Sequence, residues 1–291
     1  SEKPLAMNFD EGIEIEKLAN EKGLYVGCAP DTFLGAAGQK ARKLIEENKI
    51  GKIVLGTFNL MSHGMEHWHP NPDFYYKYGG GPVLDMGPYY FTALVNLLGP
   101  AKSVYSQSRT VYKKRVIGSG NRKNEEVEVD IPTTLVSQIE FESGALIDSF
   151  FSFDTWKHNK NHIELYGDKG SINIPDPNTF GGSIQICTEK NGKWKTIPTN
   201  EKNLGKININ RSEKTNENPG IAKYRGIGVS EMVDSIKHKK LNRCSGQLSL
   251  HVLDILDTII KSAKEEKKLD LRSSVNEVKY FSEEENIKLL I

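Results

Sequence analysis

The sequence predicts an α/β chain in which a helix-and-strand alternation gives way to a large, mostly antiparallel sheet. Helical and strand patterns alternate through the first sixty residues. Strict period-two patterning takes over beyond about residue 101, and two amphipathic helices follow it. In order, EGIEIEKLANEK (residues 11–22) places Ile15, Leu18 and Ala19 at helical spacing, and Gly23 stops that helix before the short apolar strand LYVGCA. DTFLGAAGQKARKLIEENKIG then gathers Ala37, Ala41, Leu44 and Ile45 on one face, with Gly51 past its end and the strand KIVLGTFNLM after it. TTLVSQIEFE sets Leu135, Ile139 and Phe141 against Val136, Gln138 and Glu140, which is the alternation of a half-buried strand. Ser143-Gly144 turns the chain back into ALIDSFFSFDTW as a hairpin. HIELYGD, GSINI, SIQICTE and KWKTIP extend an antiparallel meander, and the polar stretch NEKNLGKININRSEKTNENPG reads as a surface loop. In the last long helix Leu248, Val252, Ile255 and Ile259 form one stripe, with lysines at the C-terminal end where the helix dipole favours them.

Composition narrows the function. A chain of 291 residues with 37% hydrophobic and 26% charged side chains can bury a sizeable core. A formal charge of +1 implies neither a nucleic-acid footprint nor a polyanionic partner, so small ligands are the expectation, with no nucleic acid and no membrane. Cys28, Cys187 and Cys244 are far apart, odd in number and match no metal spacing, so they read as reduced thiols in a cytoplasmic protein. No run approaches the length of a membrane span.

The most informative tract is EHWHPNPDFYYKYGGGPVLDMGPYYFTALVNLLG. Three glycines allow close approach of the backbone to a ligand or a neighbouring element. If the segment after Pro82 is helical, Asp85 and Tyr89 lie four residues apart and face the same way. Pro88 must then sit in a first turn or kink the helix. Spacing alone leaves two readings open: an acid near a helix start with a core tyrosine, or a paired site.

Glu2-Lys3-Pro4, CAPDTFLGAAGQKARKLI, HPNPDFYY and GGGPVLDMGPYY, in that order, resemble the Gfo/Idh/MocA family of nicotinamide-dependent oxidoreductases, and SFDTWKH and HVLDILD fit the same pattern. The resemblance implies a fold in which residues 1–51 are the C-terminal remnant of a Rossmann domain. Residues 52–291 would form a substrate-binding and oligomerisation domain built on an open-faced antiparallel sheet. In the family the Glu-Lys-Pro motif lies late in the Rossmann domain, so the resemblance also implies that most of the pyrophosphate-binding part is missing from this chain, which would be inactive alone. A Gly-x-Gly occurs at Gly226-Ile227-Gly228, but AKYR precedes it and Glu231 stands in place of the third glycine, so it reads as a helix start.

By the same resemblance the cofactor is NAD or NADP, approached by Glu2, Lys3 and Pro4, and the substrate is a sugar, inositol or related polyol. Lys3 matches the lysine that reaches both the nicotinamide ribose and the reacting hydroxyl, where an ammonium can hold a developing alkoxide. Asp85 matches the aspartate of the family's Asp-x-x-x-His pattern. Tyr89 departs from that pattern's histidine, as it does in glucose-fructose oxidoreductase. An ordinary tyrosine titrates near about 10, so Tyr89 would need the Lys3 cation beside it to exchange a proton near neutrality. A homodimer or higher homo-oligomer through the open sheet face is implied as well.

HGMEH, His63 to His67, fits the pattern of inverted zinc proteases, a chemistry that needs the motif on a helix. Gly64, Trp68, Pro70 and Pro72 argue for a loop, so no metal is expected there. His67, Trp68 and His69 read instead as the rim of a sugar pocket, where an aromatic face stacks on the ring and imidazoles bond hydroxyls. Trp156 and His158, two apart on a predicted strand, would share a face and form a second part of the wall, although Trp156 suits the core equally well. Two other functional classes remain open at this stage: a non-catalytic carbohydrate-binding module, and a zinc hydrolase at His63, Glu66 and His67.

Overall fold

A computed structural model describes residues 1–199, 203–209, 221–276 and 285. Helix α1 (Phe9–Lys22) starts where the Asn8 side chain accepts the Glu11 N–H and ends at Gly23 in the left-handed region. Helix α2 (Ala36–Glu46) follows a short 3-10 turn, and strand β1 (Ile53–Met61) follows α2. LYVGCA differs from expectation. Leu24 and Tyr25 are exposed, and the segment makes a single bridge, Gly27 to Ser245, because no other described strand runs beside it.

Helix α3 (Gly81–Leu98) is buried on all sides except at Asp85 and Met86. Gly79 and Gly81 both take positive φ, +84° and +87°, so the turn into α3 needs residues without a Cβ. Pro82 fits the first turn, where its missing N–H costs nothing, while Pro88 lies inside the helix. Strands β2 (Ala101–Arg109), β3 (Lys114–Val116), β4 (Glu126–Glu128), β5 (Thr134–Phe141) and β6 (Leu146–Ser152) follow, then β7 (Ile163–Gly167), β8 (Gly170–Ile174), β9 (Ile184–Cys187) and β10 (Lys195–Ile197). Helices α4 (Ile227–His238) and α5 (Gly246–Glu265) and the short strand β11 (Leu269–Asp270) complete the described fold.

Nine strands form one sheet in the order β10-β9-β8-β7-β1-β6-β5-β2-β11, with β1 parallel to β6 and the other neighbours antiparallel. The expected alternation holds in β5: Leu135, Ile139 and Phe141 are buried and Val136 points outward. Helices α3 and α5 pack together, and the sheet's core seam centres on Phe58 of β1. Its ring centroid lies 5.1 Å from Tyr90, 5.2 Å from Phe91 and 5.0 Å from Phe151. The stripe predicted for the last long helix, Leu248, Val252, Ile255 and Ile259, is buried in α5. Leu55, Val136 and Leu146 are exposed on the sheet, with Leu55 and Leu146 paired across β1 and β6. Of the polar stretch 200–220, all but 203–209 lies outside the described residues. Among the described residues no helix is long and apolar enough to cross a membrane.

Candidate active site

The gap in the burial of α3 is where the predicted residues meet. Lys3 Nζ lies 2.8 Å from Asp85 Oδ1 and also donates a short bond to the Asp85 carbonyl. Both side chains keep some solvent contact, at 16% and 18% exposure, so the pair is neither a surface ion pair nor a sealed one. Tyr89, one turn on, is buried, and Lys3 Nζ stands 5.3 Å from its ring centroid. Lys3 therefore touches the ring of Tyr89, whereas the phenol oxygen faces a residue that sequence reasoning did not single out. Arg225 Nη1 lies 3.3 Å from Tyr89 Oη, its guanidinium carbon is 5.4 Å from the same ring centroid, and Nη2 donates to Asn178 Oδ1 at 2.7 Å.

The Gly226-x-Gly228 segment is a helix start, as its sequence context indicates. Asp31 Oδ2 accepts the N–H of Gly226 at 2.8 Å and of Gly228 at 3.1 Å, so a carboxylate of the chain itself occupies the N-terminus of α4. A cleft of about 660 Å³ opens beside it, lined among others by Ser1, Glu2, Gly27, Ala29, Asp31 and Arg225. Glu2 accepts the main-chain N–H of Lys3 at 3.3 Å, and Pro4 lines a separate small cavity with Ala29, Pro30 and Pro88.

Two further tyrosines border the site. Burial, and then the charge of Asp85, raise the Tyr75 phenol above its ordinary range, which places Tyr75 within the field of Asp85. Tyr75 packs edge-on against His69 at 5.5 Å, and His69 packs against Trp68 at 5.3 Å, so His69 and Trp68 extend outward from Asp85 through Tyr75. His67 is exposed, and its backbone packs against Gly118. Tyr90, fully buried beside Tyr89, shares a 2.8 Å hydrogen bond with His162 Nδ1. Burial first, then Asp176, hold its phenol well above the usual range.

Trp156 and His158 are corrected. The chain leaves the sheet after Ser152, because the Asp154 carboxylate turns away to bond Arg115 and the hydroxyls of Thr133 and Thr134. Neither residue is on a strand. Trp156 is 80% exposed rather than core, stacks on His63 with centroids 3.9 Å apart, and has no contact with Lys3, Asp85 or Tyr89, and His158 accepts the N–H of Lys160 at 3.2 Å.

HGMEH forms turns, as its glycine and the following prolines imply, and its glutamate is already engaged. Glu66 Oε1 pairs with Arg115 Nη1 at 2.8 Å, and its other oxygen accepts a short bond from the Tyr76 hydroxyl. Arg115 also binds Asp154 and the Phe153 carbonyl. Gly64, at φ +84°, leaves room for this cluster: a Cβ there would collide with Glu66, Tyr76 and Arg115. Among the described residues no group of three His, Cys, Asp or Glu side chains is arranged to hold a metal ion.

The GFO/IDH/MocA C-terminal domain family matches residues 39–173, the stretch that contains Asp85, Tyr89 and the Glu66 cluster. That stretch is a little under half of the chain. The chain is 28% identical over 222 residues to a D-xylose dehydrogenase of Paenarthrobacter nicotinovorans, which is 69% of this chain and 56% of that protein. It is 30% identical over 138 residues to the uncharacterized protein YMR315W of Saccharomyces cerevisiae, 43% of this chain and 38% of that one. The chain thus spans about half of the first relative's length and less of the second's. The fold matches a levoglucosan dehydrogenase solved with NADH and L-sorbose, with a TM-score of 0.73 at 20% identity, over 94% of this chain and 72% of the other. An NAD binding oxidoreductase from Klebsiella pneumoniae gives the same TM-score at 19% identity, over 94% and 73%. The mixed α/β architecture with its large, mostly antiparallel sheet is the fold shared with these two structures.

Proposed function

We propose that this chain is the substrate-side part of an NAD(P)-dependent oxidoreductase that moves hydride between a nicotinamide and a hydroxyl-bearing carbon of a sugar or polyol. The observation that carries the reading is the convergence of Lys3, Asp85 and Tyr89 on the one opening in an otherwise buried helix. The D-xylose dehydrogenase relative and the levoglucosan dehydrogenase of similar fold, solved with L-sorbose, support a sugar or polyol as the substrate class.

In this reading Lys3 holds the oxygen that gains negative charge as the carbinol C–H leaves with its electron pair, Asp85 fixes the ammonium, and Tyr89 exchanges the hydroxyl proton. A nicotinamide, when bound, takes up that hydride. Ser1, Glu2 and the Gly27–Ala29 backbone fit the nicotinamide end, since they line the cleft beside Lys3. The described residues offer no turn for the pyrophosphate: the amides of Gly226 and Gly228 are committed to Asp31. We therefore assign residues 1–51 to the cofactor side and 52–291 to the substrate side, and expect weak NADH and NADPH binding and no turnover by this chain alone. The exposed Leu55, Val136 and Leu146 suit a self-association face, which light scattering on the same samples would read as a mass above one chain.

Calorimetric titration of D-xylose and myo-inositol into wild type and Asp85→Asn tests the site, with NADH and NADPH followed by fluorescence. Binding of a polyol that the substitution weakens at least about tenfold supports the reading. Polyol binding indifferent to Asp85, or none by wild type, overturns it.

A further inference from the structure

Among the described residues two arginines hold no carboxylate: Arg109, which donates to the Ser108 carbonyl on an exposed strand end, and Arg225, which lines the cleft. Arg42, Arg115, Arg122, Arg243 and Arg272 each hold a carboxylate. Arg225 holds none among the described residues, and its two hydrogen bonds go to neutral groups, the Tyr89 phenol and the Asn178 amide. A guanidinium has more N–H donors than these contacts consume, arranged in a fork that matches a carboxylate.

The nearby acids are already engaged. Asp31 is buried and caps α4 through the N–H groups of Gly226 and Gly228. Asp176 accepts the N–H of Asn178 at 3.0 Å and faces Tyr90. Asp85 is paired with Lys3, and Glu2 turns to the Lys3 main chain. The Asp31 bonds also pin the backbone on the C-terminal side of Arg225, and the Asn178 bond aims the guanidinium, so the free donors are held in place at the mouth of the cleft.

We propose that Arg225 reads a carboxylate on the substrate, so that the preferred substrate is a polyhydroxy acid rather than a neutral sugar. Because Arg225 touches the Tyr89 hydroxyl, a carboxylate on the guanidinium leaves only a short span to the oxygen that Tyr89 and Lys3 serve. The hydroxyl to be oxidised is therefore one or two carbons from the carboxylate. A single guanidinium suits a singly charged carboxylate better than a phosphate dianion, and the neighbouring Lys3 is already neutralised by Asp85.

This inference rests on the sugar-oxidoreductase reading, and one experiment separates the two. D-gluconate, D-glucose and glucose 6-phosphate are titrated calorimetrically into wild type, Arg225→Gln and Arg225→Lys, with thermal melts confirming that each variant is folded. Wild type is expected to bind gluconate about tenfold tighter than glucose. Arg225→Gln should weaken gluconate by about tenfold more than it weakens glucose, and Arg225→Lys should restore part of the difference. Added salt should erode the gluconate affinity selectively. Equal affinity for gluconate and glucose, a preference that survives Arg225→Gln, or glucose 6-phosphate binding more tightly than gluconate overturns the role of Arg225 as a carboxylate reader while leaving the sugar site standing. Failure of wild type to bind any of the three overturns both.

Discussion

Two clusters in this protein use the same chemical parts to opposite ends. One joins Glu66, Tyr76, Arg115 and Asp154, and the other joins Asp85, Tyr89, Lys3 and Arg225. Each brings together carboxylate, tyrosine and cation. In the first, Glu66, Arg115 and Asp154 side chains are 9%, 3% and 8% exposed, and the carboxylates are met by a guanidinium, a phenol and two threonine hydroxyls. Burial, then Glu66, hold the Tyr76 phenol above its ordinary range, so it remains a donor. Arg115 Nε alone in this cluster lacks a partner, and it is sealed from solvent, so the cluster presents no donor to a ligand. In the second, the Lys3–Asp85 pair is open to solvent and Arg225 has donors to spare. The lesson is that saturation of hydrogen bonds, more than residue type, separates a structural charge cluster from a site that can bind.

The largest effect expected from this difference is on stability. Arg115→Ala strands Glu66 and Asp154 in the interior, and removing one partner of a buried ionic network typically costs about 3–5 kcal/mol. Urea unfolding of the variant measures it. A loss below about 1 kcal/mol would mean that water reaches the cluster and that its closure is not what holds the 62–80 segment.

His251 sharpens the same contrast with a titration. It is fully buried, its Nε2 accepts the Ala101 N–H at 3.0 Å, and burial pushes its pKa from an ordinary 6.5 down to about 4. The folded protein thus keeps the imidazole neutral where the unfolded chain protonates it. The unfolded state binds more protons between pH 6.5 and 4, so this group's contribution is complete above about pH 6.5 and is lost as the pH falls toward 4. The loss is about 3 kcal/mol. Comparing wild type with His251→Gln across that window isolates it from the carboxylates; parallel pH profiles for the two would show that the imidazole is reached by solvent.

Much of the second cluster was legible in sequence, and its limits are physical. The glycines and Pro82 announced the start of α3, and the four-residue spacing put Asp85 and Tyr89 on one face. Lys3 had no local signal and was placed by family resemblance alone. Arg225 had neither, because its contact with Tyr89 spans 136 residues and no periodicity encodes it. Tyr75 sat inside a quoted motif but looked like one more aromatic. The strand placement of Trp156 and His158 failed for a related reason: period two was extended past Ser152, where the long-range pull of Arg115 on Asp154 ends the strand. Local elements were readable, and the side chains that meet across the fold were not.

The smallest stability effect is expected at the proposed site. Asp85→Asn removes the charge partner of Lys3, but both groups retain solvent, and an asparagine can still accept from the ammonium. Because solvent still reaches both groups and the asparagine keeps an acceptor, unfolding free energy should change by about 1 kcal/mol, well below the loss expected for Arg115→Ala. The same substitution is expected to weaken polyol binding at least about tenfold. The ratio of the two effects is the diagnostic: Arg115→Ala should move stability and reach the site only through the fold, whereas Asp85→Asn should move binding and shift the melting curve only slightly. If Asp85→Asn instead unfolds the protein by several kcal/mol, the Lys3–Asp85 pair is a structural clasp between the N-terminal segment and α3, and the two clusters differ in exposure but not in purpose.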